Sequence, residues 1–168
     1  MKHLLSSVML LALLSACTSS TQRLQKERQA AIAARQSGDS YTFKVWPGAE
    51  VSHVVRLSGA PEADCVLGPD FTVHYFTWPQ RGSLAIYHGA HPQDETDKPT
   101  GKLTARFGSR TARWSLFQKA EGYRATAYVA EPEQEHQPSY IWHLMVHGQT
   151  EKEVRAIIAQ LSNFHEVR

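Results

Sequence analysis

The sequence predicts an α+β domain: an antiparallel β-sheet packed against a C-terminal α-helix, with a polar helical tether in front of it. Three observations carry this reading. After Gly38, β-branched and aromatic residues come in short runs separated by Gly- and Pro-containing turn signals. Several runs alternate strictly, as a sheet with one buried face requires. Near the end, Thr150 opens a segment whose apolar residues recur at helix spacing.

The elements follow in order. Residues 18–38 are polar and Ala-rich; Ala30, Ala31, Ala33 and Ala34 favour helix, and Gly38 marks a stop. The apolar stripe is thin, with Leu24, Ala31 and Ile32 as its main members, so this helix has little to bury and reads as a tether. A partner-binding helix is the sharper alternative. The strand runs are Tyr41–Trp46, His53–Leu57, Phe71–Trp78, Ser83–His88, Lys102–Phe107, Ala112–Gln118, Tyr123–Ala130 and Ser139–His147. Their connections are short enough for hairpins, which makes antiparallel pairing the default. Leu103, Ala105 and Phe107 oppose Lys102, Thr104 and Arg106, and Trp114 and Leu116 oppose Arg113 and Ser115. Ser139–His147 is apolar on both faces and reads as a central strand. Ala60-Pro61-Glu62-Ala63-Asp64-Cys65 reads as a loop.

Thr150-Glu151-Lys152-Glu153 is a capping box, in which Thr150 accepts from the N3 amide and Glu153 reaches back to the cap. Val154, Ile157, Ile158 and Leu161 then form one stripe, which Phe164 closes and which must pack on the sheet. Several strands followed by one closing helix resemble the Mog1/PsbP-like group over roughly residues 40–165. The likeness is architectural, rests on no diagnostic motif and carries no functional residue across. Residues 58–70 depart from it, matching poorly the early helix of that group.

The chain begins Met1-Lys2-His3, then an apolar run of about ten residues, then Leu14-Ser15-Ala16-Cys17. A run that short falls below the ~20 residues needed to span a bilayer and has the length of a signal-peptide core. Leu14-Ser15-Ala16-Cys17 resembles the lipobox of bacterial lipoproteins, in which the cysteine is the first mature residue. That resemblance implies a signal peptide over residues 1–16 and diacylglycerol and acyl groups on Cys17. It also implies a membrane-anchored lipoprotein of the cell envelope. Two or three acyl chains anchor stably where one binds only marginally. By the same resemblance, Thr18 in place of Asp leans towards the outer membrane, facing the periplasm. The expected organisation is signal peptide 1–16, lipid anchor and tether 17–38, and globular domain 39–168.

Lys plus Arg number 18 and Asp plus Glu 16 in the 168 residues, so no strongly basic stripe marks a nucleic-acid partner. The two cysteines cannot form a disulfide framework if Cys17 becomes a thioether. Cys65 is then a free thiol, reactive in one reading and inert in the commoner one.

The histidines are the candidates for chemistry. His88 and His91 sit at a strand end entering a loop, and His143 and His147 share one run with Met145 between them. Neutral imidazole ligates zinc and copper, so His88 and His91 are weak metal candidates. His143 and His147 fall about 13 Å apart on a strand, too far to be joint ligands. No Gly-x-Ser-x-Gly elbow or His-Glu-x-x-His appears, and Ser83 and Ser109 have no recognisable base at a family spacing. The acidic loop 93–97 lacks the ligand spacing of a calcium loop, and Pro92 and Pro99 bracket it as a solvated linker. Residues 131–138 read as a hairpin connection. Of the tryptophans, Trp46, Trp114 and Trp142 read as core, and Trp78 beside Pro79 as the one open to solvent.

The function expected from these residues is a lipid-anchored envelope lipoprotein whose domain binds a protein partner or a small ligand without catalysis and without a cofactor. The alternative is a metal-binding envelope factor using His88 and His91.

Overall fold

The structure, a computed structural model, describes residues 22–93, 95–131 and 140–168. The signal stretch with Cys17, and most of the connection expected over 131–138, lie outside the described residues. A helix, α1, covers residues 22–32. The strands are β1 (Arg35–Ser37), β2 (Ser40–Phe43), β3 (Ser52–Arg56), β4 (Glu62–Leu67), β5 (Phe71–Trp78), β6 (Gly82–Gly89) and β7 (Gly101–Phe107). They continue with β8 (Arg110–Lys119), β9 (Gly122–Ala130) and β10 (Ile141–Gly148); helix α2 (Glu151–Gln160), a 3₁₀ turn (Leu161–Asn163) and β11 (His165–Val167) end the chain. The fold is α+β. Its strands form a seven-stranded sheet ordered β4-β5-β6-β10-β9-β8-β7 and a four-stranded sheet ordered β1-β2-β3-β11. Every pairing is antiparallel.

The pleat of the large sheet explains its sequence. One row across it runs Cys65, His74, Ile86, Leu144, Ala127, Trp114 and Leu103, and the next runs Thr72, His88, Trp142 and Val129. These rows make the inner face, where Ile86, Leu144 and Trp142 are buried. β10 occupies the middle of the sheet as expected, but only its inner face, with Trp142, Leu144 and Val146, is wholly apolar; the outer face carries His143 and the exposed His147 beside Met145. Helix α2 lies over β10 and β9, and Val154, Ile157 and Ile158 face the sheet. Its capping box forms as the sequence requires, with Glu153 N donating to Thr150 Oγ1 at 3.2 Å and Thr150 N donating to Glu153 Oε2 at 2.9 Å. The four-stranded sheet covers the rest of the inner face. Tyr41 meets Phe76 edge-on at 5.2 Å, and the Phe43 ring lies 4.1 Å from that of His74.

Several local readings change. Cys65 is not in a loop but in β4, where Cys65 and Leu67 point inward and Asp64 and Val66 outward. The charged residues that mimic a loop there are the solvent face of an edge strand. The free Cys65 thiol is buried and donates to Gln29 O at 3.6 Å, and burial, then Asp64, raises its pKa. Trp78 is buried rather than open, with Nε1 donating to Ser58 O at 2.7 Å. Helix α1 has something to bury after all. Ile32 is fully enclosed with Cys65, Leu67 and Trp46, Gln25 Nε2 donates to Leu67 O at 3.0 Å, and Gln29 Nε2 donates to Cys65 O. A polar helix thus docks by capping the open carbonyls of an edge strand.

The loop joining β6 to β7 crosses the outer face of the large sheet. Tyr128 donates to Gln93 O at 2.9 Å, Arg124 pairs with Glu95 and with Asp97, and Lys119 pairs with Asp97. Asp97 is exposed, as the solvated reading expects, while Glu95 is largely covered, and both are tied down by these ion pairs. Beneath and beside this strap lie Tyr87, Val73, Ala85, Met145 and His143.

Candidate functional site

A groove of about 360 Å³ opens where the β7–β8 hairpin meets the C-terminal segment, lined by Phe107, Arg110, Trp142, Phe164, His165 and Glu166 together with Gly108 and Ser109. Its floor is aromatic. Phe107 and Phe164 stack at 4.2 Å, and the Phe164 ring meets that of Trp142 edge-on at 5.2 Å. Gly108 fixes this geometry. Its N–H donates to Leu161 O at 2.9 Å and its φ is +57°, so a Cβ would run into the Phe164 carbonyl. Arg110 and Glu166 also line it, so the groove sets a charge of each sign against largely buried rings.

Behind the floor the inner face is polar. Trp142 Nε1 donates to Glu131 Oε1 at 2.9 Å. His88 Nε2 stands 3.3 Å from the same oxygen, close enough for a charge contact but not aligned as a hydrogen bond. Burial pushes the Glu131 carboxyl upward, but His88, Trp142 and Arg110 outweigh it and hold the group below the usual carboxylate range. The result is a half-buried anion beside the groove.

Two further buried histidines belong to this region. Burial pushes His53 down to about 4, with His88 and Arg110 adding to the shift and Glu131 opposing it. His74 is also pushed down to about 4, by burial first, although its Nε2 lies 3.2 Å from Lys44 O. The three imidazoles do not converge. Phe43 stands between His74 and His53, at 4.1 and 6.0 Å, and Trp142 stands between His53 and His88, at 5.0 and 4.5 Å. This ladder of alternating rings buries neutral imidazole and keeps the nitrogens apart. Among the described residues no group of three or more His, Cys, Asp or Glu side chains is placed to hold a metal ion.

The sequence candidates are dispersed. His88 faces inward, beside Trp142 and Trp46. His91 is exposed in the strap, its backbone N–H on the hydroxyl of outward-facing Tyr87. The sheet separates the two. His143 and His147 share the outer face of β10 as expected, His143 stacked on Tyr128 at 4.2 Å and His147 exposed. Ser109 lines the groove, while Ser83 pairs with His147 across β6 and β10. Sequence reasoning missed Arg110, Glu131, Phe164, His53 and His74 as members of one region. Period-2 alternation could have found His74, which falls in step with Thr72, Phe76 and Trp78 on the inner face.

Compared with known proteins, the chain matches no family model, no curated protein and no solved structure.

Proposed function

We propose that this chain is a lipid-anchored envelope lipoprotein whose domain binds a protein partner or small ligand through the Phe107–Trp142–Phe164 groove and does no chemistry on it. The observation that carries the binding reading is the groove itself, with its three-ring floor and its lining of Arg110 and Glu166. Concave aromatic sites with a few placed polar groups are the usual form of a ligand pocket. The non-catalytic reading is supported by the ring ladder, which spends His53 and His74 on packing. The anchoring reading is supported by Leu14-Ser15-Ala16-Cys17. Acylated Cys17 would hold the domain at the outer membrane on its periplasmic side.

Two substitutions test the two halves. Cys17→Ala is expected to abolish labelling by a fatty acid and to release the protein from membranes; unchanged membrane association overturns the anchor. Arg110→Glu in the full chain is expected to abolish cross-linked partner capture in envelopes, while the strap variant Tyr128→Phe keeps it. Equal capture by both overturns the groove as the binding site. The metal alternative draws less support, since His88 packs inward against Trp142 while His91 bonds through its backbone to outward-facing Tyr87.

A further inference from the structure

The two edges of the seven-stranded sheet are finished differently. At β4 the side-chain amides of Gln25 and Gln29 cover backbone carbonyls. At β7, the other terminal strand, the Leu161–Asn163 turn packs at the C-terminal end, where Gly108 N–H donates to Leu161 O, but no described backbone group bonds to the outward side of Lys102 and Thr104. β7 is seven residues long, which is enough to accept another strand. The Gly108-Ser109 turn, with left-handed φ at Gly108 and not at Ser109, closes the hairpin through the Phe107–Arg110 pair. Alternation from that pair leaves the backbone N–H and C=O of Lys102, Thr104 and Arg106 pointing away from β8.

The side chains along this edge add a second observation. On the outer face lie Lys102, Thr104 and Arg106 of β7 beside Ser115, Arg113 and Thr111 of β8. Lys102, Arg106 and Arg113 are exposed and have no acidic partner among the described residues. A depression of about 430 Å³ lies over Lys102, Thr104, Arg113 and Ser115. On the inner side of the same edge, Leu103 and Ala105 are only partly buried. Of the described acids in the β6–β7 loop, Glu95 pairs with Arg124 and Asp97 with Lys119.

We infer that the β7 edge receives an extended segment of a protein partner as an eighth antiparallel strand, and that this segment alternates acidic with small apolar residues. Its backbone would pair with Lys102 and Thr104, its acidic side chains would fall beside Lys102 and Arg106, and its apolar ones would continue the row of Leu103 and Ala105. A cationic edge deters promiscuous pairing, and the same charges select for an acidic strand. A second copy of this chain fits poorly, because two antiparallel β7 strands would oppose like charges. The inference depends on neither the groove nor the lipid anchor.

The test uses the full chain in mild detergent and a fluorescent octapeptide of alternating Glu and Val, followed by anisotropy. Saturable binding is expected, with a Lys-Val octapeptide at least tenfold weaker. Thr104→Pro removes an outward N–H at a position where an edge strand tolerates proline, and is expected to weaken the Glu-Val peptide at least tenfold. Lys102→Glu with Arg106→Glu, both exposed, is expected to reverse the preference between the two peptides. Absence of saturable binding overturns the proposal. So does Thr104→Pro binding as tightly as the parent, or inorganic phosphate or anionic vesicles displacing the peptide as well as unlabelled peptide does, since these mean charge attraction without strand pairing.

Discussion

On the inner face of the large sheet, Ile86 and Leu144 sit without exposure under α2 and the small sheet; one residue along the same strands, Tyr87 and Met145 face outward under the strap. The inner face is closed by apolar burial and ring contacts, and its polar groups include the buried imidazoles of His53 and His74, Thr72 and a half-buried anion. The outer face is held by ion pairs between the strap and β8 and β9, with Tyr75 and Tyr128 left partly open. Burial gives stability that salt does not touch, and ion pairs near solvent give little that salt does not remove. The same strands therefore carry a rigid side and a yielding side, and the difference can be attacked from each.

The largest effect is expected from Trp142→Ala. This residue is buried, touches His53, His88, Phe107 and Phe164, and supplies the hydrogen bond to Glu131. Its removal should cost about 3–5 kcal/mol in a denaturant titration. Tyr128→Ala on the outer face should cost about 1 kcal/mol or less, since that ring is 41% exposed. Equal costs would break the comparison.

Acid is the next probe. His53 and His74 sit at about 4 in the folded chain against an ordinary 6.5, so between those values the unfolded state binds more protons. Stability is then fully present above pH 6.5 and falls as pH drops towards 4. At full effect each group contributes on the order of 3 kcal/mol. Glu131, held below the usual carboxylate range, adds its loss only at lower pH. His53→Phe combined with His74→Phe should flatten the slope between pH 6.5 and 5. An unchanged slope would remove the buried imidazoles as its cause.

These contrasts mark how far the sequence could be read. β-branched and aromatic content between turn signals made Phe71–Trp78 legible as a strand, alternation did so for Lys102–Phe107 and Ala112–Gln118, and the Thr150–Glu153 box made α2 legible, because these signals are local. β4 was hidden because an edge strand carries charges on its solvent face. β1 and β11, of three residues each, have too little pattern to register and exist only through pairing with β2 and β3. The groove was illegible for a different reason. Arg110, Trp142 and Phe164 come from a hairpin, a central strand and the chain end, and only the two-sheet arrangement brings them together. The strap was legible only in part, since the loop is largely exposed as expected but the pairs of Glu95 and Asp97 with Arg124 and Lys119 come from β9 and β8.

The smallest effects separate the faces most cleanly. Arg124 pairs with Glu95 and Asp97 and lies over the Phe117 ring at 5.4 Å, so it is the clasp of the strap. Thr150 caps the helix that closes the other face. Arg124→Ala and Thr150→Ala should each cost about 1 kcal/mol at low ionic strength. Raising salt to 1 M shortens the screening length to about 3 Å and should erase most of the Arg124 cost, while leaving that of Thr150 in place. Hydrogen exchange should show the same division, with amides of 90–100 opening in Arg124→Ala and those of 151–160 unaffected. If salt left both costs equal, the strap would be held by packing as the inner face is, and the two sides would differ only in degree.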